Sequence, residues 1–254
     1  MTAVSPILQV QGLVKRFGGL TATDGLDLAV QPGEIHAVIG PNGAGKTTLI
    51  NQLSGELRPD AGSIRFDGED VTALPVHERA VRGIARSYQI TSVFAEFTAL
   101  QNVMLAVQGA SGRSFSFWRP AHRDAALTGP ALALLEEVGL GAQAQARVAT
   151  LAYGARRQLE IAMTLALRPK VMLLDEPMAG MSPHESEQMV QLLQRLRGAY
   201  AIVLVEHDMD AVFALADRLT VVVYGRPIAC GTPDQIRHDP EVRSAYLGDP
   251  METV

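Results

Sequence analysis

Nine consecutive residues, Gly40-Pro41-Asn42-Gly43-Ala44-Gly45-Lys46-Thr47-Thr48, carry the spacing G-x-x-x-x-G-K-[ST]. Glycines at these positions let the backbone turn sharply, so that successive N–H groups point into one concavity suited to an anion. An apolar stretch before the run (residues 34–39) reads as a short buried strand. Leu49-Ile50-Asn51-Gln52-Leu53 after it reads as the first turns of a helix, whose N-terminus adds partial positive charge. In that setting Lys46 reaches the outer phosphates of a nucleotide, Thr47 offers its hydroxyl to a magnesium ion and Thr48 lies near the inner phosphate. A glycine-rich turn with a chance lysine is the competing reading, and the strand–loop–helix context weighs against it.

Five further features have residue types suited to a bound nucleoside triphosphate. In Val171-Met172-Leu173-Leu174-Asp175-Glu176 an apolar strand delivers two carboxylates at its carboxyl end, where α/β folds place ligands. Magnesium keeps several waters, so Asp175 alone suffices to hold it, and Glu176 is left to orient or deprotonate an attacking water. Glu206-His207-Asp208 follows another apolar strand, and His207 could bond a phosphate oxygen and that water. Gln89, after a plausible core strand at residues 84–88, could touch magnesium or water. The turn Leu151-Ala152-Tyr153-Gly154-Ala155 opens a helix whose N-terminus could hold a second anion, although taken alone a plain capped helix is the better reading. Phe17 either stacks on a base or acts as an apolar plug.

These residues need a scaffold of buried strands. Residues 171–175, 201–205 and 219–223 are continuous apolar runs, as expected of parallel strands covered on both faces. Met189, Leu192, Leu193 and Leu196 mark an amphipathic helix between the first two, so the core reads as α/β. Residues 7–14, 26–30 and 63–68 read as strands of an antiparallel sheet beside it. Between residues 91 and 168 helical patterns dominate: residues 131–138 stop at Gly139, and Leu159, Met163, Ala166 and Leu167 share one face before Pro169. Residues 109–113 are the expected flexible loop. The division expected is one domain over 1–254, with a nucleotide-binding core and β subdomain in 1–90 and 169–254 and a helical subdomain in 91–168.

Composition sets the outer limits. The 254 residues are 47% hydrophobic, enough for a sizeable core. No run of about 18 uncharged apolar residues suggests a membrane span, and no basic–apolar leader is visible at the N-terminus. The single cysteine, Cys230, permits no internal disulfide, which fits a reducing cytosol. A formal net charge of −5 argues against a general nucleic-acid binder.

Taken in this order the motifs resemble the ATP-binding subunit of an ABC transporter, over nearly the whole chain. Phe17 matches that family's A-loop aromatic, residues 40–48 its Walker A loop and Gln89 its Q-loop. Residues 151–155 match its signature, 171–175 its Walker B strand, Glu176 its catalytic glutamate, Ala179-Gly180-Met181-Ser182 its D-loop and His207 its switch histidine. The resemblance implies a P-loop NTPase (RecA-like) core with an antiparallel β subdomain and an inserted helical subdomain. It also implies ATP and Mg2+ as ligands, and ATP hydrolysis. Two such subunits, identical or different, are expected to pair head to tail, each ATP lying between the Walker A loop of one and Ala152, Tyr153 and Gly154 of the other. The pair is expected to sit at the inner face of the cell membrane on integral permease subunits, fed indirectly by an external solute-binding protein, with the segment after Gln89 receiving a coupling helix.

Two departures stand out. The family's LSGGQ signature reads Leu-Ala-Tyr-Gly-Ala, so Ala152 removes a hydroxyl expected to bond the γ-phosphate, worth about 1.5–3 kcal/mol. Ser182 replaces the D-loop's common aspartate. A narrower resemblance, to the larger ATPase of branched-chain amino acid importers, rests on Lys15-Arg16-Phe17-Gly18-Gly19-Leu20, Met178-Ala179-Gly180-Met181-Ser182-Pro183 and Ala245-Tyr246-Leu247-Gly248. It is joined by the aromatic–basic stretch at residues 113–123, which suits a membrane interface, a protein partner or a surface excursion. Related branches carry urea or other amides, and soluble ABC-type ATPases without a membrane partner are the rival class.

Overall fold

The computed structural model describes residues 5–87, 93–111 and 124–247. Gln89 and residues 113–123 therefore lie outside the described residues. The chain starts with a hairpin of β1 (Leu8–Phe17) and β2 (Leu20–Val30). It turns at Gly18, which adopts a left-handed φ of 57°. The expected strands at 7–14 and 26–30 are only parts of this hairpin. Phe17 pairs with Leu20, Arg16 with Thr21 and Lys15 with Thr23, so the ladder extends beyond both expected segments. A partner strand satisfies their backbone groups, and this extension brings Phe17 and Ala22 to the phosphate loop.

β3 (Ile35–Ile39) runs into that loop, and α1 (Lys46–Ser54) leaves it. β4 (Ala61–Phe66) and the short β5 (Glu69–Asp70) complete an antiparallel sheet of order β2-β1-β4-β5. α2 (Val76–Arg82) carries Arg79, which is 1% exposed. Its guanidinium donates to the carbonyls of Gln52 and Leu53 at 2.7 and 2.8 Å, at the C-terminus of α1, where a cation is favoured by the helix dipole. Burial lowers the Arg79 pKa to about 10, so it stays charged at neutral pH while anchoring the helix that carries Lys46.

β6 (Ile84–Arg86) is followed by α3 (Ala99–Ala110), α4 (Ala125–Glu137) and α5 (Tyr153–Ala166). A capping box between Thr98 and Gln101 starts α3, which continues through Gly109 where a loop was expected. Packing of its Val103 and Met104 outweighs the roughly 1 kcal/mol helix penalty of one glycine. The helix expected at 131–138 is the second half of α4, and Gly139, with φ 86°, ends it. Then come β7 (Val171–Asp175), α6 (Pro183–Leu196), β8 (Ala201–Val205), α7 (Met209–Leu215), β9 (Arg218–Val223), β10 (Arg226–Gly231), α8 (Pro233–His238) and α9 (Pro240–Val242).

The second sheet has the order β10-β9-β3-β8-β7-β6, parallel except for β10. Its inner strands β3, β7 and β8 are covered on both sides, and alternate residues divide accordingly. Met172, Leu174, Ile202 and Leu204 join the helical cluster with α3 to α6, while Val171, Leu173, Val203 and Val205 join the cluster shared with α1 and the antiparallel sheet. This is the α/β architecture expected, with an antiparallel sheet on one side and helices on the other. The carboxyl ends of β3, β7 and β8 emerge together, and with them the phosphate loop, Asp175, Glu176 and His207. Among the described residues no helix is long and apolar enough to cross a membrane.

Candidate active site

The loop after β3 is shaped by steric exclusion. Gly45, at φ 101°, is the residue before α1, and a Cβ there would lie 2.0 Å from the carbonyl oxygen of Ala22. At Gly40 a Cβ would lie 2.0 Å from the carbonyl oxygen of Val222. The loop is thus clamped between β2 and β9. Lys46 is 7% exposed and its ammonium donates to the carbonyls of Gly40 and Pro41 at 2.7 and 3.0 Å. Burial lowers its pKa, and the charges of Glu176 and Asp175 oppose that shift, so both acids act on the same point. A cleft of about 380 Å³ is lined by Phe17, Leu20, Ala22, Glu176 and the loop residues Asn42, Gly43, Ala44, Gly45, Lys46, Thr47 and Thr48. Phe17 is 49% exposed on its rim, with the Lys15 ammonium 5.7 Å from the ring centroid.

Asp175 closes β7 and is buried. Its Oδ2 accepts from Arg86 Nη2 at 3.2 Å, whereas Oδ1 is buried without a partner among the described residues. Burial raises its pKa, and the Arg86 charge pulls it back. A buried carboxylate oxygen left open in this way fits a hard cation that takes one or two protein oxygens and otherwise phosphate and water. The described residues contain no cluster of three or more His, Cys, Asp or Glu able to hold a metal by themselves.

Glu176 follows at φ 48°, a left-handed conformation costing about 1–3 kcal/mol for a residue with a side chain. Its N–H donates to the carbonyl of Val205 at 2.8 Å, which ties the ends of β7 and β8 together. His207 Nδ1 lies 3.8 Å from Glu176 Oε1 and 3.8 Å from Glu206 Oε2. Glu206 is fully buried and accepts from the N–H groups of Met178 and His207 at 2.9 and 3.1 Å, while burial raises its pKa. It positions both turns that carry Glu176 and His207. Asp208 caps α7.

The turn at 151–155 is elsewhere. Ala152 precedes α5 and makes no side-chain cap. The Tyr153 hydroxyl accepts from Arg157 at 2.9 Å and donates to the Ala179 carbonyl at 3.2 Å. The Gly154 N–H, expected to face an anion, donates instead to Glu185 Oε1 at 2.8 Å, and Oε2 of the same carboxylate takes the N–H and hydroxyl of Ser182 at 3.0 and 2.8 Å. None of these residues lines the phosphate-loop cleft of the same chain.

Residues 23–179 match the ABC transporter family. The chain belongs to that family, among its ATP-binding subunits. Residues 226–251 also match a segment described as branched-chain amino acid ATP-binding cassette transporter. Relatives include the high-affinity branched-chain amino acid transport ATP-binding proteins BraF of Pseudomonas aeruginosa, 42% identical, and LivG of Escherichia coli K12, 40% identical. Each alignment covers 96% of this chain and 98% of the relative. An Archaeoglobus fulgidus protein, named as a probable LivG, is 35% identical over 95% of both chains. Among solved structures, a nucleotide-free ATP-binding cassette from an ABC transporter superposes with a TM-score of 0.83 at 28% identity, covering 96% of this chain and 100% of that one. The ADP conformation of the ATP-binding cassette MJ1267 of an ABC transporter gives 0.84 at 29%, covering 96% and 99%.

Three site residues of this ABC cassette escaped sequence reasoning. Arg86 ends a short strand and has no motif of its own. Glu206 stood in the quoted Glu206-His207-Asp208, but its full burial follows only from the packing of β7 against β8. Glu185 reads in sequence as the acidic third residue of a helix capping box with Ser182, which it is, and its second bond to Gly154 is tertiary.

Proposed function

We propose that this cassette binds MgATP in the cleft between the phosphate loop, Phe17 and Glu176, and hydrolyses it to drive import of branched-chain or other hydrophobic amino acids. The convergence of Lys46, Asp175 and Glu176 at the mouths of β3 and β7 carries this reading. Lys46 and the loop N–H groups hold the phosphates. Thr47 and Asp175 hold magnesium, which when bound neutralises phosphate charge. Glu176 orients and deprotonates the attacking water, His207 bonds the γ-phosphate, and Gln89 completes the metal and water contacts. The substrate class draws on the relatives' names and on the match at residues 226–251.

Residues 152–154 do not line the cleft of their own chain, and in this reading they serve the ATP of a second cassette, identical or different, in a head-to-tail pair. In this reading helices α3 to α5 carry this surface and, beside it, the docking face for integral membrane subunits. The pair works at the inner face of the membrane, downstream of an external solute-binding protein. The test is uptake of radiolabelled leucine by cells lacking this chain. Wild-type chain is expected to restore uptake and Lys46→Ala to leave it at background. Restoration by Lys46→Ala, or lost uptake of urea with leucine uptake intact, overturns the reading.

Glu185 has a consequence for the pair. Its carboxylate holds the Gly154 N–H that would otherwise meet the partner's γ-phosphate. Glu185→Ala is expected to lower the ATP concentration for half-maximal dimerisation by about tenfold, since a hydrogen bond to a charged group is worth about 1.5–3 kcal/mol. Light scattering against ATP concentration measures this, and an unchanged midpoint would mean that Gly154 does not contact nucleotide.

A further inference from the structure

Away from the nucleotide cleft, the start of β3 runs beside β9, and β9 beside β10. A chain of polar side chains crosses these three strands. His36 is fully buried in an otherwise apolar strand. Its Nδ1 lies 2.9 Å from Glu34 Oε1 and its Nε2 2.8 Å from the Thr220 hydroxyl. Glu34 is itself buried, and its other oxygen accepts from the Gln31 N–H at 2.6 Å. Thr220 pairs with Cys230 across the antiparallel β9–β10 ladder, so the two side chains stand on one face. Thr220 and His36 both bond to the Cys230 thiol. Arg218, two residues before Thr220, donates from Nη2 to Cys230 Sγ at 3.3 Å.

A nucleophile, a base beside it and an acid that orients the base are the parts that activate a sulfur. When protonated, His36 donates from one nitrogen to Glu34 and from the other to the Thr220 oxygen, which leaves the Thr220 hydroxyl proton for sulfur. Burial works against that charge, but the bonds to Cys230 and Glu34 outweigh it and raise the His36 pKa. The bond from His36, opposed by burial and helped by Thr220 and the Arg218 charge, lowers the Cys230 pKa to about 7. Among the described residues Arg218 has no carboxylate in ion-pair contact, so the thiolate is the anion it holds. Cys230 is exposed on β10, the edge strand of the sheet, so a reagent reaches it from solvent.

We infer that Cys230 is a modification site, a nucleophilic thiolate that exchanges with low-molecular-weight disulfides and leaves this cassette carrying a mixed disulfide. The Cys230 sulfur attacks one sulfur of the small disulfide. A new S–S bond forms as the old one breaks, and the departing thiolate takes a proton from water. Cys230 is oxidised and the departing sulfur is reduced. Excess small thiol drives the same exchange backwards. The adduct removes the anion that faces Arg218 and His36, and His36 belongs to the strand that runs into the phosphate loop.

Cys230 is the single cysteine of the chain, so measurements on the whole protein report on it alone. The folded full chain is incubated with oxidised glutathione at neutral pH and weighed intact by mass spectrometry. One glutathione adduct is expected, and dithiothreitol should remove it. The rate of alkylation by iodoacetamide, followed against pH, is expected to have its midpoint at about 7. His36→Gln should move that midpoint upward by about one pH unit, toward an ordinary thiol. Arg218→Gln should move it in the same direction by less, and its half-buried position keeps the test open if the buried His36 variant does not fold. A wild-type midpoint at the ordinary thiol value of about 8.5 overturns the inference. So does a folded chain that forms no adduct while the same chain unfolded in urea does, and so do folded variants whose midpoints all match wild type.

Discussion

Glu176→Gln is expected to lower ATP turnover by about 10²–10⁴-fold, the range for removing a positioned general base, while ATP affinity stays within about threefold. The amide keeps the shape of the carboxylate at a position whose backbone is already committed to φ 48°, so the ends of β7 and β8 should stay in place. Lys46 keeps the charge of Asp175 beside it. What disappears is the acceptor that takes a proton from water next to the phosphate, with His207 3.8 Å away. Phosphate release under saturating MgATP, read beside equilibrium nucleotide binding, separates the two effects. A variant that turns over within threefold of wild type would remove Glu176 from the chemistry.

The same substitution should shift a pH profile. Burial raises the Asp175 pKa above the usual 3.8, and the negative charge of Glu176 adds to that rise. Magnesium needs Asp175 ionised, so Mg-dependent nucleotide binding is lost as pH falls through this raised value. Without the Glu176 charge the loss should move to lower pH.

Gly45→Ala is expected to abolish detectable ATP binding and to destabilise the fold by roughly 2–4 kcal/mol, the upper range for single substitutions with a named steric cause. Two effects add. The left-handed φ of 101° is unfavourable for alanine, and its methyl would sit 2.0 Å from the Ala22 carbonyl oxygen, a backbone atom held by the β1–β2 hairpin. Gly43→Ala is the control, since Gly43 also has a positive φ, 79°, but has nothing within 4 Å of an added Cβ. It should lose only about 1 kcal/mol. Thermal unfolding and nucleotide titration of the two variants check the contrast. If Gly45→Ala binds ATP as wild type does, the hairpin does not clamp the loop.

Much of this site was legible in one dimension because local chemistry and local structure coincide there. Lys46 and Thr47 stand at a helix start, Asp175 and Glu176 at the end of one apolar run and His207 at the end of another, so strand ends alone place them near one edge of a sheet. The apolar runs at 171–175 and 201–205 imply cover on both faces, because every residue in them must leave water. By themselves, then, the amino acids determine the phosphate loop, the acid pair and the α/β order of strands and helices. Only tertiary structure decides that residues 20–23 complete a hairpin, that Arg86 meets Asp175 across 89 residues of chain and that Glu185 meets Gly154 across 31. Glu206 is buried for the same reason. A charged group's partners are set by which elements pack together, and neither spacing nor periodicity carries that information.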